Sequence, residues 1–80
     1  MDIISMVEQW KGQEIVAFCG SIKYRGTLEN VIDGKFFVLS RVAIMNPAAG
    51  ETAEYETCIL NADQVSGLAN KEIVGRGEEV

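Results

Sequence analysis

Ile22-Lys23-Tyr24-Arg25-Gly26-Thr27-Leu28-Glu29-Asn30 decides the fold. Ile22, Tyr24, Gly26 and Leu28 fall on one face of an extended chain, and Lys23, Arg25, Thr27 and Glu29 on the other. That period of two is the mark of a half-buried strand. Gly26 stands in the middle of it. A glycine there weakens a strand unless the backbone must bend sharply or come close to another. Small barrels need such bends to curl a sheet onto itself.

The segments on either side repeat the strand signal. Upstream, Glu14 to Cys19 is apolar and carries the strand formers Ile15, Val16 and Phe18. The turn residues Gly20-Ser21 separate it from the first stretch. Downstream, Asp33-Gly34 is a hairpin signal, and Lys35 to Met45 reads as a long third strand. Asn46-Pro47-Ala48-Ala49-Gly50 is a turn. Thr52 to Leu60 follows as a fourth strand, with Ala53, Tyr55, Thr57 and Ile59 opposite Glu54, Glu56, Cys58 and Leu60. Asn61-Ala62-Asp63 turns the chain into a brief fifth strand, Gln64 to Leu68.

Before all of these, Asp2 to Lys11 reads as a short helix. Asp2 caps its start, Ile3, Val7 and Trp10 recur at helical spacing, and Gly12 stops it. So short a helix needs a surface to pack on. The expected architecture is mainly β: an N-terminal helix, then a five-stranded, strongly bent antiparallel barrel of the SH3-like kind. The oligonucleotide/oligosaccharide-binding barrel also has five strands, but it places a helix between the third and fourth, where this chain has only Asn46–Gly50. Residues 1–69 form the domain, and 70–80 read as a flexible polar tail.

Composition narrows the function. A chain of 80 residues holds one domain with a modest core. Small domains gain stability from disulfides, metals or oligomerisation. Two cysteines, Cys19 and Cys58, lie in apolar strand-like runs and read as core thiols, and there is no histidine to complete a zinc set. Oligomerisation is what remains. The formal net charge of −5 argues against wrapping duplex DNA, which needs a broad basic surface, but not against a short single strand at a local site. No apolar run approaches the roughly 20 residues that span a bilayer. The first residues lack a basic signal-peptide pattern, so a cytoplasmic location and no membrane partner are expected.

The residues give no support for an enzyme. No histidine serves as a base, no Ser or Cys sits in a nucleophile motif, and no glycine-rich phosphate loop is present. Glu51, Glu54 and Glu56 cluster, but without other partners they read as a solvated acidic face. No cofactor and no metal ligand is assigned.

Taken together, Gly12-Gln13-Glu14-Ile15-Val16-Ala17-Phe18, then Tyr24-Arg25-Gly26-Thr27-Leu28, a hairpin, and Phe37-Val38-Leu39 resemble the first motif of the Sm-like (LSm) proteins. Leu60-Asn61-Ala62 followed by Val65 and Leu68 stands where that family has Ile-Arg-Gly and a final short strand. The resemblance covers residues 2 to 68. It implies a closed homo-oligomeric ring of about five to seven subunits, in which the fourth strand of one copy pairs with the fifth of the next. The interface would come from Thr57, Cys58, Ile59 and Leu60 on one side and Val65 and Leu68 on the other.

The resemblance further implies single-stranded RNA binding at the pore, through an Asp-x-x-Met-Asn hairpin and the Arg of Ile-Arg-Gly. Aligned without gaps, those positions fall on Ile32, Lys35, Phe36 and Asn61, and a one-residue deletion places Asp33 on the motif's Asp. The motif's Asn is absent, and Asn61 stands in place of its Arg. Lys35 suits a phosphate, Phe36 a stacked base and Asn61 a base edge. Each also has a plainer reading: Phe36 as core, Lys35 as an exposed turn lysine, Asn61 as a turn residue. Lys23 and Arg25 share an outer strand face, which either touches RNA or is simply solvated. The other functional reading keeps the fold without RNA, as an assembly or protein-interaction module.

Overall fold

The structure is a computed structural model and describes residues 3–46 and 51–73. Helix α1 (Ile3–Glu8) leads into β1 (Glu14–Cys19), β2 (Ile22–Ile32), β3 (Phe36–Asn46), β4 (Glu51–Asn61), a 3-10 turn (Ala62–Gln64) and β5 (Gly67–Asn70). The strands form one antiparallel sheet in the order β4-β3-β2-β1-β5. The expected order of one helix and five strands is therefore present, in a strongly bent sheet. Its two ends, β4 and β5, share no ladder among the described residues, so the barrel is open along that seam.

Gly26 makes the bend. Its register partner on β1 is Ile15, and on its other side the pairing with β3 slips between Arg25↔Ala43 and Thr27↔Ser40. The extra β3 residue there is Arg41, held at a φ of 52°. A Cβ on Gly26 would stand 2.9 Å from the Ser40 carbonyl oxygen and 3.0 Å from Val42 Cγ2. Only a residue without a side chain lets the two backbones approach this closely. A second slip lies between Leu28↔Leu39 and Asn30↔Val38. It breaks the alternation of β2, so that Leu28 and Val31, three apart, are both buried.

The bent sheet wraps a wholly apolar centre. Ile15, Leu28, Leu39 and Val42 are fully buried, and Val7, Ala17, Val31, Phe37 and Leu60 join them. Ile4, Trp10, Tyr24, Val65 and Leu68 pack around this cluster. Val7 is how α1 earns its place: a helix of six residues has too few internal bonds to stand alone.

Several boundaries differ from the sequence reading. The helix ends at Glu8, not Lys11. Beyond it the chain tightens into turns, with Trp10 N donating to Val7 O (2.8 Å) and Gln13 N to Trp10 O (2.9 Å). Gly12, at a φ of 87°, then aims the chain back at β2, where its N–H donates to Leu28 O (2.8 Å). The fifth strand is Gly67–Asn70, not 64–68. Residues 62–64 are consumed by the 3-10 turn, and Ser66 docks on Phe18 O through its N–H (2.7 Å) and hydroxyl (2.9 Å) before pairing with β1 begins. Asn70, assigned to the tail, is a strand residue opposite Ile15, and its Nδ2 donates to Gln13 Oε1 (2.9 Å). Asp2, the proposed helix cap, and residues 47–50 of the proposed turn lie outside the described residues, as does the tail from 74 onward.

Candidate nucleic-acid interface

The chemistry collects where the β2–β3 hairpin meets the end of β4. Asp33 and Gly34 have φ values of 57° and 62°, and Lys35 N donates to Ile32 O (2.9 Å). Two successive left-handed residues closed by that bond make the tight hairpin turn that Asp-Gly favours. It holds Asp33 and Lys35 exposed at the tip. One residue on, β3 begins with Phe36, whose register partner on β4 is Asn61. The Lys35 carbonyl accepts from Ala62 N (2.7 Å), which ties the hairpin to the residue after Asn61.

Asn61 is fixed in turn. It caps the 3-10 turn, its Oδ1 accepting from Asp63 N (2.9 Å). That bond uses the amide oxygen and leaves the amide donors unspent by it. Phe36 is half-buried, and the core position belongs to its neighbour Phe37. The two point to opposite faces of β3, which decides between the two readings of Phe36 in favour of a partly accessible ring. All four sequence-selected residues thus sit at one end of the sheet: a carboxylate, an ammonium, an aromatic face and an amide.

The sequence reading missed a cleft of about 530 Å³ beside Asn61, lined also by Cys19, Tyr24, Ile59 and Gln64. No local signal announces it, because it forms where the β1–β2 turn comes to lie against the end of β4. Cys19 and Cys58 are free thiols, half-buried and not fully buried as expected. Burial pushes both above the ordinary range, and the Cys58 charge adds to the shift at Cys19. Burial, then the two thiols, raises the Tyr24 hydroxyl in the same way. These are neutral groups at physiological pH. Among the described residues no set of three or more potential metal ligands gathers anywhere.

Comparisons with known proteins bear on the whole arrangement. No protein-family model matches the chain, and no curated protein matches it in sequence. Solved structures do match. The Sm protein of Pyrococcus abyssii, solved in complex with a uridine heptamer, superposes with a TM-score of 0.73 at 14% identity, over 89% of this chain and 100% of that one. A heptameric archaeal Sm protein gives 0.70 at 13% identity, over 85% and 98%. The chain has the Sm fold. A chain of the NatC complex bound to CoA gives 0.68 at 15% identity, over 90% of this chain and 91% of that one.

In this Sm fold the residues expected at an interface divide sharply. Thr57 and Ile59 on β4 are exposed, Ile59 at 60%. Cys58 is half-buried, Leu60 is core, and Val65 and Leu68 pack against the core. Those four offer a neighbour mainly their backbone. Among the described residues β4 is laddered only to β3 and β5 only to β1, so each keeps one row of N–H and C=O groups unladdered there.

Proposed function

We propose that this chain is a divergent Sm-like protein. It closes into a homo-oligomeric ring by pairing β4 of one copy with β5 of the next, and it holds single-stranded RNA where the β2–β3 hairpin meets Asn61. One observation carries the RNA reading. Asn61, distant in sequence, is joined to the adjacent Lys35 and Phe36 by the Phe36↔Asn61 register pair and the Ala62-to-Lys35 backbone bond. In a ring this trio repeats around the pore, so weak single contacts add up to avid binding. Lys35 takes a phosphate, Phe36 stacks a base and Asn61 reads its edge. The Sm proteins with uridine or in heptamers support the reading by fold. We read the protein as a non-enzymatic part of cytoplasmic RNA metabolism; no described helix is long and apolar enough to cross a membrane.

The test is RNA affinity at low salt for wild type and for Lys35→Ala with Asn61→Ala. A loss of tenfold or more is expected, and unchanged affinity would sink the reading. A second reading has its own support. The net charge of −5, the absence of the family's Asn and Arg, and the NatC chain of the same fold all favour an assembly module that contacts protein instead. Oligomers that take up no RNA under any salt condition would decide for it.

A further inference from the structure

We propose that the oligomer suggested by the Sm fold, on whose existence this rests, is locked in one register: Ile59 of each copy stands opposite Gly67 of the next and packs on that copy's Phe18. Both halves of the contact are carried by one chain. Ile59 is 60% exposed on the β4 edge. Gly67 opens the β5 edge, and its register partner on β1 is Phe18, itself 39% exposed. A Cβ on Gly67 would stand 3.5 Å from Phe18 Cδ2, so the aromatic side chain leans over the glycine. Aromatic cover of this kind is a known device for a glycine near a sheet edge. It brings the phenyl group within reach of whatever strand is laid on β5. The residue directly opposite Gly67 on that strand would have its Cβ about 4.5–5.5 Å away.

The chain itself selects which residue that is. Opposed residues of paired strands point to the same face of the sheet. On β4, Leu60 is core and Cys58 packs against it, so Tyr55, Thr57, Ile59 and Asn61 face outward. On β5, Leu68 packs against the core, so Gly67 and Ala69 face outward. Every ladder of the sheet is antiparallel, the more stable pattern per residue. An antiparallel contact that keeps all of β5 on β4 therefore sets Gly67 opposite Tyr55, Thr57, Ile59 or Asn61. With Tyr55 or Thr57 there, Leu68 falls opposite Glu54 or Glu56, and a carboxylate is pressed towards a side chain of the core, where an unpaired charge is costly. With Asn61 there, Phe18 receives an amide whose oxygen already holds Asp63 N. Ile59 alone sets apolar against apolar in both rows: Ile59 on Phe18 outside, Cys58 opposite Leu68 within. The same register lays the exposed Glu56 opposite Asn70 and next to the exposed Lys71, which has no ion pair among the described residues.

The test is oxidative cross-linking of the full chain. The starting protein carries Cys19→Ala and Cys58→Ala and is shown by sedimentation velocity to associate as wild type does. Gly67→Cys is added with Tyr55→Cys, Thr57→Cys, Ile59→Cys or Asn61→Cys, and each protein is treated with oxidised glutathione. A Cβ at Gly67 makes only ordinary contact, so the substitution fits. Directly opposed positions lie within disulfide reach, and positions two residues off do not. Gly67→Cys with Ile59→Cys should give dimers and higher multimers on a non-reducing gel, lost on reduction, and the other three pairs should give none. Multimers from another pair instead overturn this register and leave the assembly standing. Association without cross-links from any pair overturns the register together with the β4–β5 contact, and a wild type that stays monomeric removes both. Independently, Ile59→Ala and Phe18→Ala should each weaken association about threefold, and together no further than either alone. Losses that multiply would show that the two side chains do not touch and would overturn the contact; circular dichroism checks that both variants fold.

Discussion

At Gly26 a single methyl group would meet a backbone oxygen, which cannot swing away as a side chain can. Gly26→Ala is therefore expected to destabilise the fold by about 1–3 kcal/mol, as overpacking does in a tight interior. Urea unfolding followed by Trp10 fluorescence measures it, and a change below about 0.5 kcal/mol would mean that the bend is not set there. Leu39, fully buried at the centre of β3, should lose about 2–5 kcal/mol on substitution by alanine. The thiols give a prediction in pH. Both have folded pKa values raised above the ordinary 9.0, so unfolded thiols ionise first as pH climbs. Their contribution to stability is fully present below about pH 9 and is lost above it, with Tyr24 acting in the same direction. Melting temperature should fall as pH rises above about 9, and less steeply in a protein with Cys19→Ser and Cys58→Ser.

Among the elements, the edges decide behaviour. Ile59 stands exposed on β4, an edge strand whose outer row has no ladder among the described residues. A lysine on an edge is a standard block to strand pairing. Ile59→Lys should leave the melting of the isolated domain within about 0.5 kcal/mol of wild type and abolish self-association in sedimentation velocity. Persistence of the oligomer would exclude the β4 edge from the contact. The elements also show what a sequence discloses. Ile22 to Asn30 was legible because alternation is local, and Asp33-Gly34 because a two-residue turn needs left-handed backbone at both positions. The late start of β5 was not, since it follows from Asn61 bonding to Asp63 N and Ser66 bonding to Phe18 O, one short-range and one 48 residues away. The slip at Glu29–Asn30 was hidden for the same reason: it is a matter of pairing with β3.

For the whole molecule, the candidate site was legible residue by residue only through the family resemblance. Lys35, Phe36 and Asn61 carry no shared pattern in the chain. Their meeting depends on the β3–β4 register, while the resemblance supplied only the positions. Light scattering with an oligo-uridine gives the overall test. A single oligomer that takes up RNA supports both halves of the proposed function, and a monomer at every concentration removes its basis.

The open seam has a consequence for how such a protein fails. In the proposed ring each copy turns the next by a fixed angle, and a whole number of those angles must complete one revolution. That angle is the one at which β4 and β5 leave the sheet, and the close approach at Gly26 helps to set it. A change that relaxes the bend by a few degrees leaves both edges as adhesive as before but removes the closure. Such a variant should not fall apart into single copies. It should grow without end, as helical fibres visible in the electron microscope, and its solubility would be lost to geometry before its fold was lost to instability.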